Sequence, residues 1–190
     1  REVEDRYAPK TTDFLDPRQR FIVESVIGQN EDLRIFTEGT FEEAERQRIL
    51  IAPSYLEPTE EDFQIGVYTI HYPAKFVQLR HPDVLGALLS IGLDRSKFGD
   101  IRLGENTVQF ALAQEIADYV RANLTGMGKV KVHVEELGSS TPLIQNEEHW
   151  VESSYTVSSM RLDVVLATVA NISRQKSQSL INGGKVKVNW

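Results

Sequence analysis

The chain has 190 residues, 41% hydrophobic and 8% aromatic, enough for one ordinary domain or two to three small ones and too apolar for wholesale disorder. It has no cysteine, which excludes a disulfide framework, a thiolate nucleophile and a Cys-based zinc site, and fits a reducing cytoplasm. Against 28 Asp and Glu stand 21 Lys and Arg, and the formal charge of −7, taken whole, argues against a nucleic-acid binder.

Taken by segment the charge is uneven. Residues 1–60 hold 8 basic and 14 acidic side chains, residues 61–152 hold 8 and 13, and residues 153–190 hold 5 and 1. A short cationic module, carrying Arg161, Arg174, Lys176, Lys185 and Lys187, therefore ends an acidic protein. The chain opens on Arg1 without a signal-peptide stretch, and its longest apolar run, Val164 to Ala170, falls well short of the roughly 18 residues of a membrane span. A cytoplasmic monomer without a membrane partner is the expectation.

The first segment reads as a small α/β unit. Asp16 is a good N-cap with Pro17 as first helical residue, and Phe21, Ile22, Ser25 and Val26 recur at helical spacing up to Gly28. Leu33–Phe36 reads as a strand, Phe41–Arg48 as a helix and Ile49–Ala52 as a buried strand. Pro53 to Asp62, with two prolines and an acidic run, reads as a linker.

In the second segment Ile65–Tyr72 alternates as a strand. A helix follows from His81-Pro82 to about Ile91, then a strand Phe98–Leu103, a turn Gly104-Glu105-Asn106, and a strand Thr107–Ala113. An amphipathic helix Glu115–Leu124 precedes a last strand on which Val130, Val132 and Val134 share a face and His133 points to solvent. The order β-α-β-β-α-β is that of a ferredoxin-like, RRM-like sandwich. Phe110 shares the face of Val108 and Leu112, which makes it a core residue rather than a base-stacking one. Gly138 to Ser153 reads as a second linker.

The third segment begins near Val157. Leu162, Val165, Leu166 and Val169 form a helical stripe, Ser173 caps a second helix that Gly183-Gly184 closes, and Lys185–Asn189 alternates as a strand. On that strand Lys185 and Lys187 share one face while Val186 and Val188 turn to the core. A terminal strand without a partner implies that the module continues beyond Trp190.

This helix-turn-helix-strand resembles the S4 RNA-binding domain. The likeness is carried by Arg161-Leu162-Asp163, Ser173-Arg174-Gln175-Lys176-Ser177, Ile181 and Gly184-Lys185-Val186-Lys187-Val188-Asn189. The rest of the chain is similar to the bacterial YlmH family, in Thr12–Gln19, Ala44–Arg48, Ile51–Tyr55, Pro73–Phe76, His81–Leu88 and Lys97–Ile101. The resemblance implies a ribosome-associated RNA-binding protein, linked to rescue of stalled large subunits carrying peptidyl-tRNA and to cell division. On this reading the chain is α+β, with a small N-terminal α/β unit at 1–58, a ferredoxin-like domain at 59–152 and a partial S4 module at 157–190.

Residue chemistry points the same way. Arg174 and Lys176 lie in the first turn after Ser173, where unpaired N–H groups and the helix dipole favour a phosphate. The predicted RNA-binding set is Arg161, Ser173, Arg174, Gln175, Lys176, Lys185, Lys187 and Asn189, with Lys75, Arg80 and Lys97 as an auxiliary contact to rRNA or tRNA. No cofactor and no metal are expected, since His71, His81, His133 and His149 lack helical ligand spacing. Two rivals remain. Arg-Leu-Asp also marks pseudouridine synthases, which carry a catalytic aspartate, but here Val164-Val165-Leu166 continues a helix and Asp163 suits its N-terminal dipole. The other is a protein adaptor in division.

Overall fold

The computed structural model describes residues 3, 8–28, 30–138, 140–145, 153–186 and 188. The chain divides into two compact units, Arg1–Asn146 and Glu147–Trp190.

The first unit opens with a three-stranded antiparallel sheet. Strand β3 (Gln47–Pro53) lies between β1 (Lys10–Leu15) and β2 (Leu33–Glu38). Helix α1 (Pro17–Ile27) starts as its sequence directs. Asp16 accepts from the Gln19 N–H at 2.8 Å, and the Gln19 side chain accepts from the Asp16 N–H at 2.9 Å. Its stripe of Phe21, Ile22 and Val26 is exposed rather than buried.

One strand here is unforeseen and one expectation fails. Lys10–Leu15 is a strand that its polar composition does not announce. Phe41–Arg48 is not a helix: Thr40 and Glu43 sit at φ 71° and 50°, and Arg48 already belongs to β3. Phe41 and Ala44 are buried at helix-like spacing, but the Asp100 carboxylate, from 55 and 54 residues away, accepts the Glu45 and Arg46 N–H groups at 2.9 and 3.0 Å and holds this stretch as a turn.

A second antiparallel sheet follows, in the order β5-β6-β4-β9. Its strands are β4 (Ile65–His71), β5 (Phe98–Leu103), β6 (Val108–Ala113) and β9 (His133–Glu136), and α2 (His81–Ser90) and α3 (Ala117–Asn123) complete β-α-β-β-α-β. This is the strand order of the ferredoxin-like sandwich. One face buries Tyr68, Ile70, Phe98, Phe110, Leu112 and Val134 with helix residues Val84, Leu88 and Val120, so Phe110 is core as its alternation predicts.

The predicted strand through Val130–Val134 is broken in two. Val130–Lys131 (β8) folds back on Gly126–Met127 (β7), the Val132 N–H goes to the Thr125 carbonyl, and only β9 joins the large sheet.

The other face of the sheet is covered. Phe14, Phe41 and Ala44 pack on Ala111 and Ala113 at one end. Gly99 is part of this fit, because a Cβ there would stand 2.8 Å from the Phe14 ring. Further along, Gln109, 2% exposed, binds the segment read as a linker: it donates to the Pro142 carbonyl at 3.0 Å and accepts from the Ile144 N–H at 2.8 Å.

The stretch read as the first linker is also structured. A 3-10 turn at Glu60–Phe63 buries Phe63 with Leu50 and Ala52. Buried Arg48 ties these pieces together, donating to Thr12 O at 2.7 Å, Gln64 O at 2.9 Å and the Glu115 carboxylate at 3.2 Å. Replacing it strands two carbonyls and a carboxylate. Arg48→Met should cost about 2–4 kcal/mol, read as a lower urea midpoint at unchanged m-value.

Candidate nucleic-acid interface

The second unit is a pair of helices, α4 (Leu162–Val169) and α5 (Arg174–Asn182). The turn between them places Asn171 at φ 50°, a conformation Asn tolerates, and returns the Ile172 N–H to Ala167 O at 3.0 Å. Ser173 then caps α5, its hydroxyl oxygen accepting the Lys176 N–H at 3.2 Å.

The centre of the pair is a carboxylate. Asp163, buried in the first turn of α4, accepts from Arg174 Nε at 2.8 Å, Gln178 Nε2 at 2.9 Å and Arg161 Nε at 3.1 Å. Arg174 and Gln178 are four residues apart and share a face of α5. The dipole role predicted for Asp163 is therefore joined by a larger one, the tie between helices. Hydrogen bonds from Arg174, Gln178 and Arg161 hold its carboxyl well below the usual carboxylate range. Three donors thus converge on it while its helix continues.

The arginines are not used up. Their side chains remain 65% exposed at Arg161 and 55% at Arg174, and Arg174 meets Asp163 through Nε. Gln175, Lys176 and Lys185 are exposed on the same short unit. A shallow hollow of about 510 Å³ opens beside the tie, lined by Arg161, Leu162, Asp163, Gln178, Ile181 and Asn182.

Arg161, Ser173, Arg174, Gln175, Lys176 and Lys185 are thus brought onto one helix pair, while Lys187 and Asn189 lie outside the described residues. Lys185 and Val186 form no strand, and Val188 is exposed instead of facing a core. Ser177, part of the quoted S4-like stretch, is buried with no partner for its hydroxyl among the described residues. Gln178 is missed by sequence reasoning, because nothing in local spacing ties it to Asp163.

The auxiliary three do not form one patch. Lys97 precedes β5 and is held by Asp13 of β1 at 2.7 Å. Lys75 and Arg80 lie in the loop after β4, at the opposite end of the sheet, with Arg80 bridged to Asp83 at 3.2 Å. Two further cations of the first unit are structural. Arg102 donates to Asp100 and to Glu42 O. Arg95 donates to Phe98 O and Gly99 O, and burial with the neighbouring Arg46 charge lowers it to about 10. Among the described residues no group of three or more His, Asp or Glu is placed to hold a metal.

Three family models match the chain. Residues 1–56 match "YlmH, N-terminal", residues 58–141 "Putative RNA-binding domain in YlmH", and residues 160–190 "S4 domain". The chain belongs to the YlmH family. A relative from Bacillus subtilis (strain 168), "Ribosome-associated protein quality control protein P2", is 43% identical over 188 residues, 99% of this chain and 72% of that protein. The solved "Cell division protein ylmH from Streptococcus pneumoniae" is 28% identical at a TM-score of 0.63, covering 72% of this chain and 83% of that one. Relative to this YlmH frame, the Asp163 tie is the feature whose chemistry is testable by acid. Because the folded carboxyl titrates below its ordinary 3.8, its contribution to stability is whole above that pH and lost as pH falls below it. Amide exchange at residues 162–182 should therefore quicken below about pH 4. Asp163→Asn should quicken it already at neutral pH and flatten the acid dependence.

Proposed function

We propose that this YlmH-family chain is a non-catalytic binder of structured RNA, rRNA or tRNA, on the large ribosomal subunit in the cytoplasm. Its role is in rescue or quality control of stalled subunits. The observation that carries this reading is the cationic face of the helix pair. Arg161 and Arg174 are oriented by a buried carboxylate and stand with Gln175 and Lys176 around the capped start of α5, while Lys185 is exposed just past its C-terminal end. Such a face suits phosphate and 2′-hydroxyl contacts on structured RNA. The S4 match and the printed name of the Bacillus relative support it.

An enzyme would need a convergent ionisable site. The aspartate of the Arg-Leu-Asp sequence, the one residue that suggested such a site, already accepts from three side chains. The division adaptor rests on the printed name of the Streptococcus structure and predicts a protein that stays off ribosomes.

With about four phosphates engaged, log affinity should fall against log salt with a slope of about −3 to −4. Co-sedimentation with large subunits in a sucrose gradient at two salt concentrations measures this directly. The Arg174→Glu, Lys176→Glu double variant should leave the ribosomal fractions. If it sediments like the parent chain, the reading fails.

A further inference from the structure

The family model over residues 58–141 is described as a putative RNA-binding domain, yet the sheet face on which an RRM stacks bases is occupied. Phe110 is in the core, Phe14 and Phe41 cover one end of the outer face, and the 142–144 segment is bound across Gln109. The rim above Gln109 carries Glu135 and Glu136, which repel phosphate. Any RNA contact of this domain belongs elsewhere on its surface.

One end of the sheet has the required chemistry. Phe76, in the loop between β4 and α2, is 88% exposed. The backbone that carries it is held in place. The Phe76 and Val77 N–H groups both go to Pro73 O, at 3.0 and 3.2 Å, and the Ala74 N–H goes to Tyr72 O. Tyr72, Val77 and Leu79 on either side are packed into the core. Lys75 precedes Phe76 and is exposed.

The β7–β8 hairpin reaches this same end, because it leads directly into β9, whose His133 pairs with His71, the last residue of β4. The hairpin exposes Lys129 and Lys131. None of these three lysines makes an ion pair among the described residues. Of the described acids at this end, Asp83 is bridged to Arg80, Glu135 lies 3.1 Å from the His71 ring, and Glu105 stands on the β5–β6 turn.

We propose that this end of the sandwich is a second RNA contact, in which an unpaired base stacks on the Phe76 ring and Lys75, Lys129 and Lys131 hold the flanking phosphates. A solvent-facing aromatic on a hydrogen-bonded turn, beside unpaired ammonium groups, is the arrangement that takes an extruded base, since stacking needs only a π-face and the cations follow the backbone. The proposal deepens the RNA-binding reading and rests on it for the class of ligand, but not on the S4 residues.

The test uses the full chain and two RNAs, a hairpin whose unpaired loop carries 2-aminopurine and a blunt duplex of equal length. Phe76→Ala should weaken loop binding by about 5- to 100-fold and abolish the fluorescence change that stacking produces, with duplex affinity unchanged. Phe76→Trp should restore both. Reversing Lys75, Lys129 and Lys131 together should shallow the salt slope on loop RNA by about 2 to 3. Wild-type loop affinity and fluorescence in Phe76→Ala overturn the proposal. So does a Phe76→Ala chain that leaves ribosomes while binding both RNAs normally, which would assign the ring to a protein partner. Arg174→Glu, Lys176→Glu run beside it separates the two readings. If that variant binds normally and Phe76→Ala does not, the S4 reading falls and this one stands, and the converse holds equally.

Discussion

The architecture of the first unit depends on small residues along the outer face of one sheet. Ala111 and Ala113 on β6 and Gly99 on β5 leave room for the Phe14 and Phe41 rings. A side chain at Gly99 would stand 2.8 Å from the Phe14 ring and force it to shift. Once the rings are seated, the N-terminal segment is part of the sandwich rather than an appendage. The Asp100 carboxylate takes the 45–46 backbone, Lys97 reaches Asp13, and Arg48 gathers Thr12, Gln64 and Glu115. The same contact removes a surface from service. A sandwich whose outer face is filled with phenylalanine has to meet RNA at its ends or through another module.

Charge is partitioned accordingly. In the first unit the guanidinium groups of Arg46, Arg48, Arg95 and Arg102 face inward, onto backbone carbonyls, carboxylates and aromatic rings such as Phe98 beneath Arg95 at 4.5 Å. They hold the fold and contribute little outward field. In the helix pair a single acid serves several bases, so the surplus is positive and faces out. The acidic remainder of the chain then discourages indiscriminate binding to other polyanions.

How much of this was legible depended on the reach of the interaction. Local signals read true. Asp16 before Pro17 and Ser173 before Arg174 cap the helices they announce, and alternation along Ile65–His71 and Val108–Ala113 gives the sandwich and the buried Phe110. Long-range partners were not legible. Phe41 and Ala44 mimic a helical stripe, but their conformation is dictated by Asp100. The apolar period of Phe21, Ile22 and Val26 fixed a helix without fixing what covers it. Asp163 meets Arg174 and Gln178 from 11 and 15 residues away on another helix, a separation with no periodic signature. The strand at Val130–Val134 was misjudged because a hairpin competes for its first residues.

The Asp163 tie has a consequence in entropy. A free arginine side chain carries roughly 2 kcal/mol of rotamer freedom that a phosphate contact must freeze. Arg161 and Arg174 have had part of theirs frozen at the folding step, by hydrogen bonds to a carboxylate that stays ionised across the physiological range. On the RNA-binding reading proposed above, a phosphate arriving at this face would find two guanidinium groups already held, and more of its contact energy would survive as affinity. The acid at the centre of a basic surface thus lowers its charge by one and makes what remains quicker to use.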